Sequence, residues 1–194
     1  MKLVSGVIIG LAFLISAAAA HAVPVVSVDT DPATPDVQSD FDIAIGNPLT
    51  IDVVISGVDV GLPLNAFEFD LDFDPSILTA ISVIDGGFLL APVFEIQNII
   101  GAMKVEFAEQ TLFLTGAIGA GTLATITFDT IGLGTSPLDL NDVILSAPFG
   151  VPINVGAIND GSVNVVPEPS SLLLLGSGLA GLAGWRRRRL KRPV

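Results

Sequence analysis

Between Ala66 and Phe73 the chain alternates without a break: Phe67, Phe69, Leu71 and Phe73 fall on one parity, and Glu68, Asp70 and Asp72 on the other. Successive side chains of a strand point to opposite faces. The segment therefore reads as a strand with an apolar stripe turned to a core and a ladder of three acids, spaced about 7 Å, turned away from it. A helix would scatter both sets around its circumference. Asp74 and Pro75 follow and turn the chain, since proline fixes φ and an aspartate can accept from backbone beyond it.

The same period recurs at Leu123, Thr125 and Thr127 against Ala124, Ile126 and Phe128. Strands are predicted over residues 25–28, 49–56, 66–73, 78–84, 94–99, 104–108, 123–130, 143–146 and 162–165, separated by Gly, Pro, Asn and Asp. No stretch between them carries an amphipathic helical pattern. The Gly-rich run from Gly116 to Gly121 leads into a strand rather than a helix, so it reads as a turn and not as a nucleotide site. Nine short strands over about 144 residues predict an all-β, two-sheet sandwich, large enough to bury a core without disulfides.

Composition removes much chemistry from this sandwich. The chain has no Cys and no Tyr; its one His is His21 and its one Trp is Trp185, each in a terminal segment. Cys/His and Ser/His nucleophilic catalysis, zinc coordination and redox disulfides are thereby excluded from the interior. Residues 23–166 hold 19 acidic side chains against Lys104 alone, a net charge of −18, which excludes nucleic acid as a partner. Neighbouring carboxylates of the 68–72 ladder have the spacing of a glycosidase pair. Sharing one solvated face, they lack the apolar pocket that would raise one pKa, so a non-enzyme is expected.

The two ends are different in kind. Lys2, an apolar run from Leu3 to Ile15 and the small residues Ala17–Ala20 lead to Ala20, His21, Ala22, the pattern of a secretory signal peptide over residues 1–22, with cleavage by signal peptidase after Ala22. At the other end, Pro167, Glu168 and Pro169 interrupt any strand or helix. An apolar stretch from Leu172 to Trp185 follows, then Arg186, Arg187, Arg188, Arg189, Lys191 and Arg192. Those 14 apolar residues would reach about 21 Å as a helix against a hydrocarbon core of about 30 Å, a marginal span held by a basic stop on the cytoplasmic side. A nucleic-acid-binding tail and a simple stop-transfer anchor are the alternative readings. Gly176, Ser177, Gly178, Gly181 and Gly184 would allow a partner helix to approach closely, or are ordinary membrane-helix glycines.

The run VPEPSSLLLLG with its following RRRR resembles the PEP-CTERM sorting signal of exported bacterial proteins. The resemblance implies a Gram-negative, exopolysaccharide-making host and an inner-membrane precursor, processed by an exosortase and released or transferred to the cell surface or extracellular space. The sorting residues are then Pro167, Glu168 and Pro169, and residues 167–194 form the sorting unit. A second resemblance rests on LNAFEFDLDFDPSILTAISV, GTLATITF, SPLDLNDVIL and GSVNV, whose order is similar to that of motifs in cohesin-like domains. It implies a jelly-roll sandwich over residues 23–166, related to carbohydrate-binding modules, with the signal helix and an apolar helix flanking it.

Two ligand classes then suggest themselves. Hard oxygens at Asp29, Asp31, Asp70 and Asp72 are candidate calcium ligands, although no twelve-residue EF-hand loop is present. Phe41, Phe88 and Phe149 are the candidate exposed aromatics for stacking on a glycan. The function expected from the sequence is a non-catalytic exported surface or matrix protein acting in adhesion or protein interaction. The alternative is a glycan-binding module associated with exopolysaccharide. A matrix protein or polysaccharide is the corresponding partner.

Overall fold

Strand β4 (Ala66–Phe73) takes the phase its alternation demands, burying Phe67, Phe69, Leu71 and Phe73 and leaving Glu68, Asp70 and Asp72 half-exposed on the other face. It runs antiparallel to β7 (Lys104–Thr111) on one side and to β9 (Gly134–Ala147) on the other. The register sets Phe69 opposite Phe107 and Leu71 opposite Val105. Phe107 consequently sits 6.0 Å from Phe67 and 6.1 Å from Phe69, centroid to centroid. The computed structural model describes residues 22–91, 93–112, 115–168, 174, 176–179 and 182.

Twelve strands among the described residues form two sheets. In the first, β11 (Ala157–Asn159), β1 (Val25–Asp29), β3 (Pro48–Val58), β8 (Gly119–Thr130) and β5 (Leu78–Asp85) lie in that order. In the second the order is β2 (Asp40–Ala44), β12 (Gly161–Val166), β9, β4, β7 and β6 (Val93–Ile100), with the short β10 (Val151–Ile153) beside the end of β9. Most connections cross from one sheet to the other, so the core lies between them. Leu49, Ile51, Val53 and Ile55 of β3 and Ala124, Ile126 and Phe128 of β8 face the phenylalanines of β4 and β7. The rings of Phe73 and Phe128 meet edge-on across the two sheets at 5.2 Å.

All nine predicted strands exist, and three more join them. β2 is not among the nine because its alternation is brief, Asp40 and Asp42 against Phe41 and Ile43. It is held by a parallel partner, β12, in which Ser162 and Asn164 stand opposite those aspartates. β10 and β11 are three residues each, too short for a periodicity to register. The strand predicted over 143–146 is the last part of the 14-residue β9. Asn141 and Asp142 resemble a turn but form a bulge instead, with Asp142 at φ 47 and the register to β4 slipping between Glu68 and Asp70. The Gly-rich run is a turn only in its first half, since β8 begins at Gly119. The register of β3 with β8 also slips between Val53 and Val54, which leaves Leu123 as an extra residue and explains why adjacent Leu123 and Ala124 are both buried.

The flanking helices are another matter. The signal segment from Met1 to His21 lies outside the described residues, as do Pro169 and the basic stop Arg186, Arg187, Arg188 and Arg189. Of the apolar stretch, positions 174, 176–179 and 182 are helical and exposed. Among the described residues no helix is long and apolar enough to cross a membrane. Pro167 and Glu168 are exposed and without regular structure, and they follow Val166 of β12 directly.

Candidate interaction face

The outward side chains of the seven-stranded sheet follow from its registers. Reading across from β2, they include Asp40 and Asp42, then Ser162 and Asn164, then Asp139, Asn141 and Ile144 of β9. Glu68, Asp70 and Asp72 of β4 come next, then Lys104 and Glu106 of β7. Seven carboxylates and one ammonium thus share one broad, gently pleated face. On the five-stranded sheet the outward positions of β8 and its neighbours are mostly hydroxyls, Thr50, Thr79, Thr125 and Thr127 among them, with Asp52 accepting from Thr125 Oγ1 at 2.6 Å.

Lys104 stands at the centre of the acidic ladder. Its Nζ lies 2.8 Å from Asp70 Oδ2 and 2.7 Å from Glu106 Oε1. Hydrogen bonding first to Asp70 and then to Glu106 raises the lysine pKa, and the same bond from Lys104 holds the Glu106 carboxyl below its ordinary value. Gln97 of β6 donates to the other Glu106 oxygen, so the bridge extends to the sheet edge. Around it the acids are organised by amides and hydroxyls. Asn141 Nδ2 donates to Asp72 at 3.0 Å, Asn164 Nδ2 to Asp42 at 2.9 Å and Ser162 Oγ to Asp40 at 2.6 Å. Asp139 is pushed up, mainly by partial burial and then by the nearby charges of Asp160 and Asp72. A face so arranged is electronegative, with its acids held in place by hydrogen bonds. It offers hydrogen-bond acceptors to an incoming surface.

The four calcium candidates are not brought together. Asp29 ends β1 and is buried, and its Oδ1 accepts from the backbone N–H groups of Asp31 and Gln38 at 3.2 and 3.1 Å. These bonds tie the two ends of the 30–39 loop to the end of β1. Asp70 and Asp72 belong to the other sheet and are engaged with Lys104 and Asn141. Among the described residues no group of three or more His, Cys, Asp or Glu side chains is placed to hold a metal ion. Two of the three aromatics expected at the surface pack against the core instead, Phe41 and Phe88, because β2 and the segment after β5 cover the sandwich ends. Phe149 is 85% exposed, and Phe94 of the edge strand β6 is a second exposed ring.

The arrangement of two such sheets has known counterparts. A type I cohesin of Pseudobacteroides cellulosolvens superposes with a TM-score of 0.60 at 18% identity, covering 76% of this chain and 94% of its own. The fold is cohesin-like. The sixth cohesin of the Acetivibrio cellulolyticus scaffoldin B, solved in complex with a dockerin, also gives a TM-score of 0.60 at 18% identity, over 74% of this chain and 99% of that one. A non-cellulosomal cohesin from the archaeon Archaeoglobus fulgidus gives 0.56 at 15% identity, over 77% and 96%. Beyond the cohesin-like sandwich, residues 165–189 match the PEP-CTERM protein-sorting motif. No curated protein matches the chain.

Lys104, Asp139 and Asn141 do not stand out as site residues from sequence, and Asp40 and Asp42 stand out there only as further hard oxygens for calcium. The signal for Lys104 is its being the sole base of the interior. The others depend on strand neighbours more than 60 residues apart, as for Asn141 with Asp72, 69 positions away.

Proposed function

We propose that this chain is a non-catalytic interaction module, exported and carried to the cell surface or extracellular matrix through its PEP-CTERM tail, where the outer face of the seven-stranded sheet docks a protein partner. The single observation that carries this reading is the composition of that face. Seven carboxylates share one sheet face with a single bridged lysine, which suits a partner presenting ammonium, guanidinium and amide groups and gives an association that weakens with salt. The cohesin-like fold supports it, since one of the similar cohesins was solved with a protein, a dockerin, bound. The sorting motif at residues 165–189 supports export, anchoring of a precursor and processing by an exosortase.

The test uses the mature protein immobilised against envelope and matrix fractions of the producing organism, beside a variant carrying Glu68→Lys and Asp139→Lys. These two acids lie on the face but outside the Lys104 bridge. Retention of a protein partner by the wild type, lost in the variant and at high salt, is the expected result. Retention that the variant keeps and that free oligosaccharide abolishes would overturn it in favour of a glycan-binding module. For the tail, mass spectrometry of the native C-terminus is expected to find an end near Pro169; an intact Val194 would overturn processing.

A further inference from the structure

Inward-facing positions of β7 alternate as Val105, Phe107, Glu109 and Thr111, so a glutamate occupies a place in the core phase. Glu109 is 2% exposed, and its Oε2 is buried with no hydrogen-bond partner. It lies where the sandwich ends, at the edge formed by β5 of one sheet and β6 of the other, and β5 touches both β6 and β7. The carboxylate of Asp85, the last residue of β5, is within hydrogen-bonding reach of Glu109. Glu95 of β6 stands directly opposite Glu109 in the register.

The charged groups that face Glu109 are thus Asp85 from β5 and Glu95 from β6. β4 contributes Phe67 at the facing position, and the connection from β5 to β6 brings Gly86, Gly87, Phe88, Leu89 and Leu90, all uncharged. Lys104 is on the same strand but on the opposite face, tied to Asp70 and Glu106. Two carboxylates in contact, one of them buried with an orphaned oxygen and with no cationic side chain beside it among the described residues, cannot both be ionised at low cost. We propose that Asp85 and Glu109 hold one proton between them, and that this carboxyl–carboxylate hydrogen bond latches the open edge of the sandwich by tying β5 of one sheet to β7 of the other beneath the exposed strand β6.

In the latched state the Glu109 hydroxyl donates to an Asp85 carboxylate oxygen. Asp85 also accepts from the Gly87 N–H at 2.6 Å, which fixes its orientation. Asn98 Nδ2 completes the edge, donating to Glu95 at 2.9 Å and to the Val83 carbonyl of β5 at 3.3 Å. On alkalisation the proton leaves to solvent, and three anions face one another with nothing to neutralise them. Burial first, then the charge of Asp85, raises the Glu109 carboxyl to about 8. An acid raised on folding stabilises the native state fully below its unfolded value of 4.5, and that contribution declines as the pH rises towards 8. β6 then loosens while the rest of the sandwich remains.

The test compares the full chain with Glu109→Gln and Asp85→Asn, by thermal unfolding between pH 6 and 9 and by hydrogen exchange of the Val93–Ile100 amides corrected for the intrinsic pH dependence. The wild type is expected to lose roughly 5–10 °C across that range. Glu109→Gln, which keeps a donor and removes the charge, should stay nearly flat, and Asp85→Asn should show a smaller drop than the wild type. Exchange in β6 should be at least about tenfold faster at pH 9 in the wild type than in Glu109→Gln. A wild-type drop retained in both variants would overturn the latch. So would recovery of the wild-type midpoint at pH 9 by millimolar calcium but not by magnesium, since the three acids would then be a cation site.

Discussion

Replacing Phe107 by alanine tests whether the acidic face rests on the aromatic cluster beneath it. Phe107 is fully buried on β7, opposite Phe69, with both Phe67 and Phe69 about 6 Å away by ring centroid. Truncating a fully buried phenylalanine costs about 3–5 kcal/mol through lost transfer energy and the cavity left behind. The ring also interacts with two aromatic neighbours, each pairing worth roughly 0.5–1.5 kcal/mol, which places the expected cost in the upper half of that range. For a sandwich of this size that is a fall of roughly 10–15 °C in the midpoint. The sole tryptophan, Trp185, lies in the tail and there is no tyrosine, so intrinsic fluorescence would not follow the sandwich. Urea unfolding read by far-ultraviolet circular dichroism is the suitable assay, with the slope against denaturant expected to stay unchanged. Phe149→Ala is the control, because that ring is 85% exposed and its removal should cost within about 0.5 kcal/mol. A loss below about 1 kcal/mol for Phe107→Ala, or an equal loss for Phe149→Ala, would refute the packing argument.

Other perturbations have equally definite outcomes. In the connection from β8 to β9, a Cβ added at Gly132 would meet the Ser76 carbonyl oxygen, so Gly132→Ala should cost about 1–3 kcal/mol in the same urea titration. Asp29→Ala leaves the Asp31 and Gln38 amides without their acceptor and should cost about 1–2 kcal/mol, with limited proteolysis appearing first within residues 30–39. The Glu106 carboxyl is held below its ordinary value of 4.5 by the Lys104 bridge, so the bridge's contribution is present above that pH and is lost as the pH falls below it. Lys104→Met should therefore show a shallower decline in midpoint than the wild type between pH 5 and pH 3.

The strands legible in the sequence are those whose two faces see different environments. β4 is readable to the residue, because from Phe67 onward every second side chain is Phe or Leu and those between are acids. β2 has the same alternation in miniature, Asp40 and Asp42 against Phe41 and Ile43, but its pairing with β12 lies some 120 residues away and cannot be inferred locally. Only the end of β9 is legible, because Pro137 and the Asn141–Asp142 pair resemble turns. Pro137 sits in the ladder beside Ser162, and Asp142 takes a left-handed bulge. The acidic ladder is visible as a ladder, whereas its central ion pair is not, since Lys104 is 34 residues from Asp70. Glu109 escapes notice for a different reason. A strand ended at Ala108 stops the parity count one residue before the position that makes β7 unusual.

The sheet that carries the acidic face also carries the tail. β12 is an interior strand of that sheet, between β2 and β9, with Val165 buried and the Val166 carbonyl accepting from Ile45 N–H at 2.9 Å. The sorting motif's Pro-Glu-Pro begins at the next residue, and five residues, Pro167 to Ser171, separate the strand from the apolar stretch at Leu172. Fully extended, they span at most about 17 Å. In an anchored precursor the end of the sandwich holding the 45–47 and 131–133 loops would therefore lie within about 17 Å of the apolar stretch.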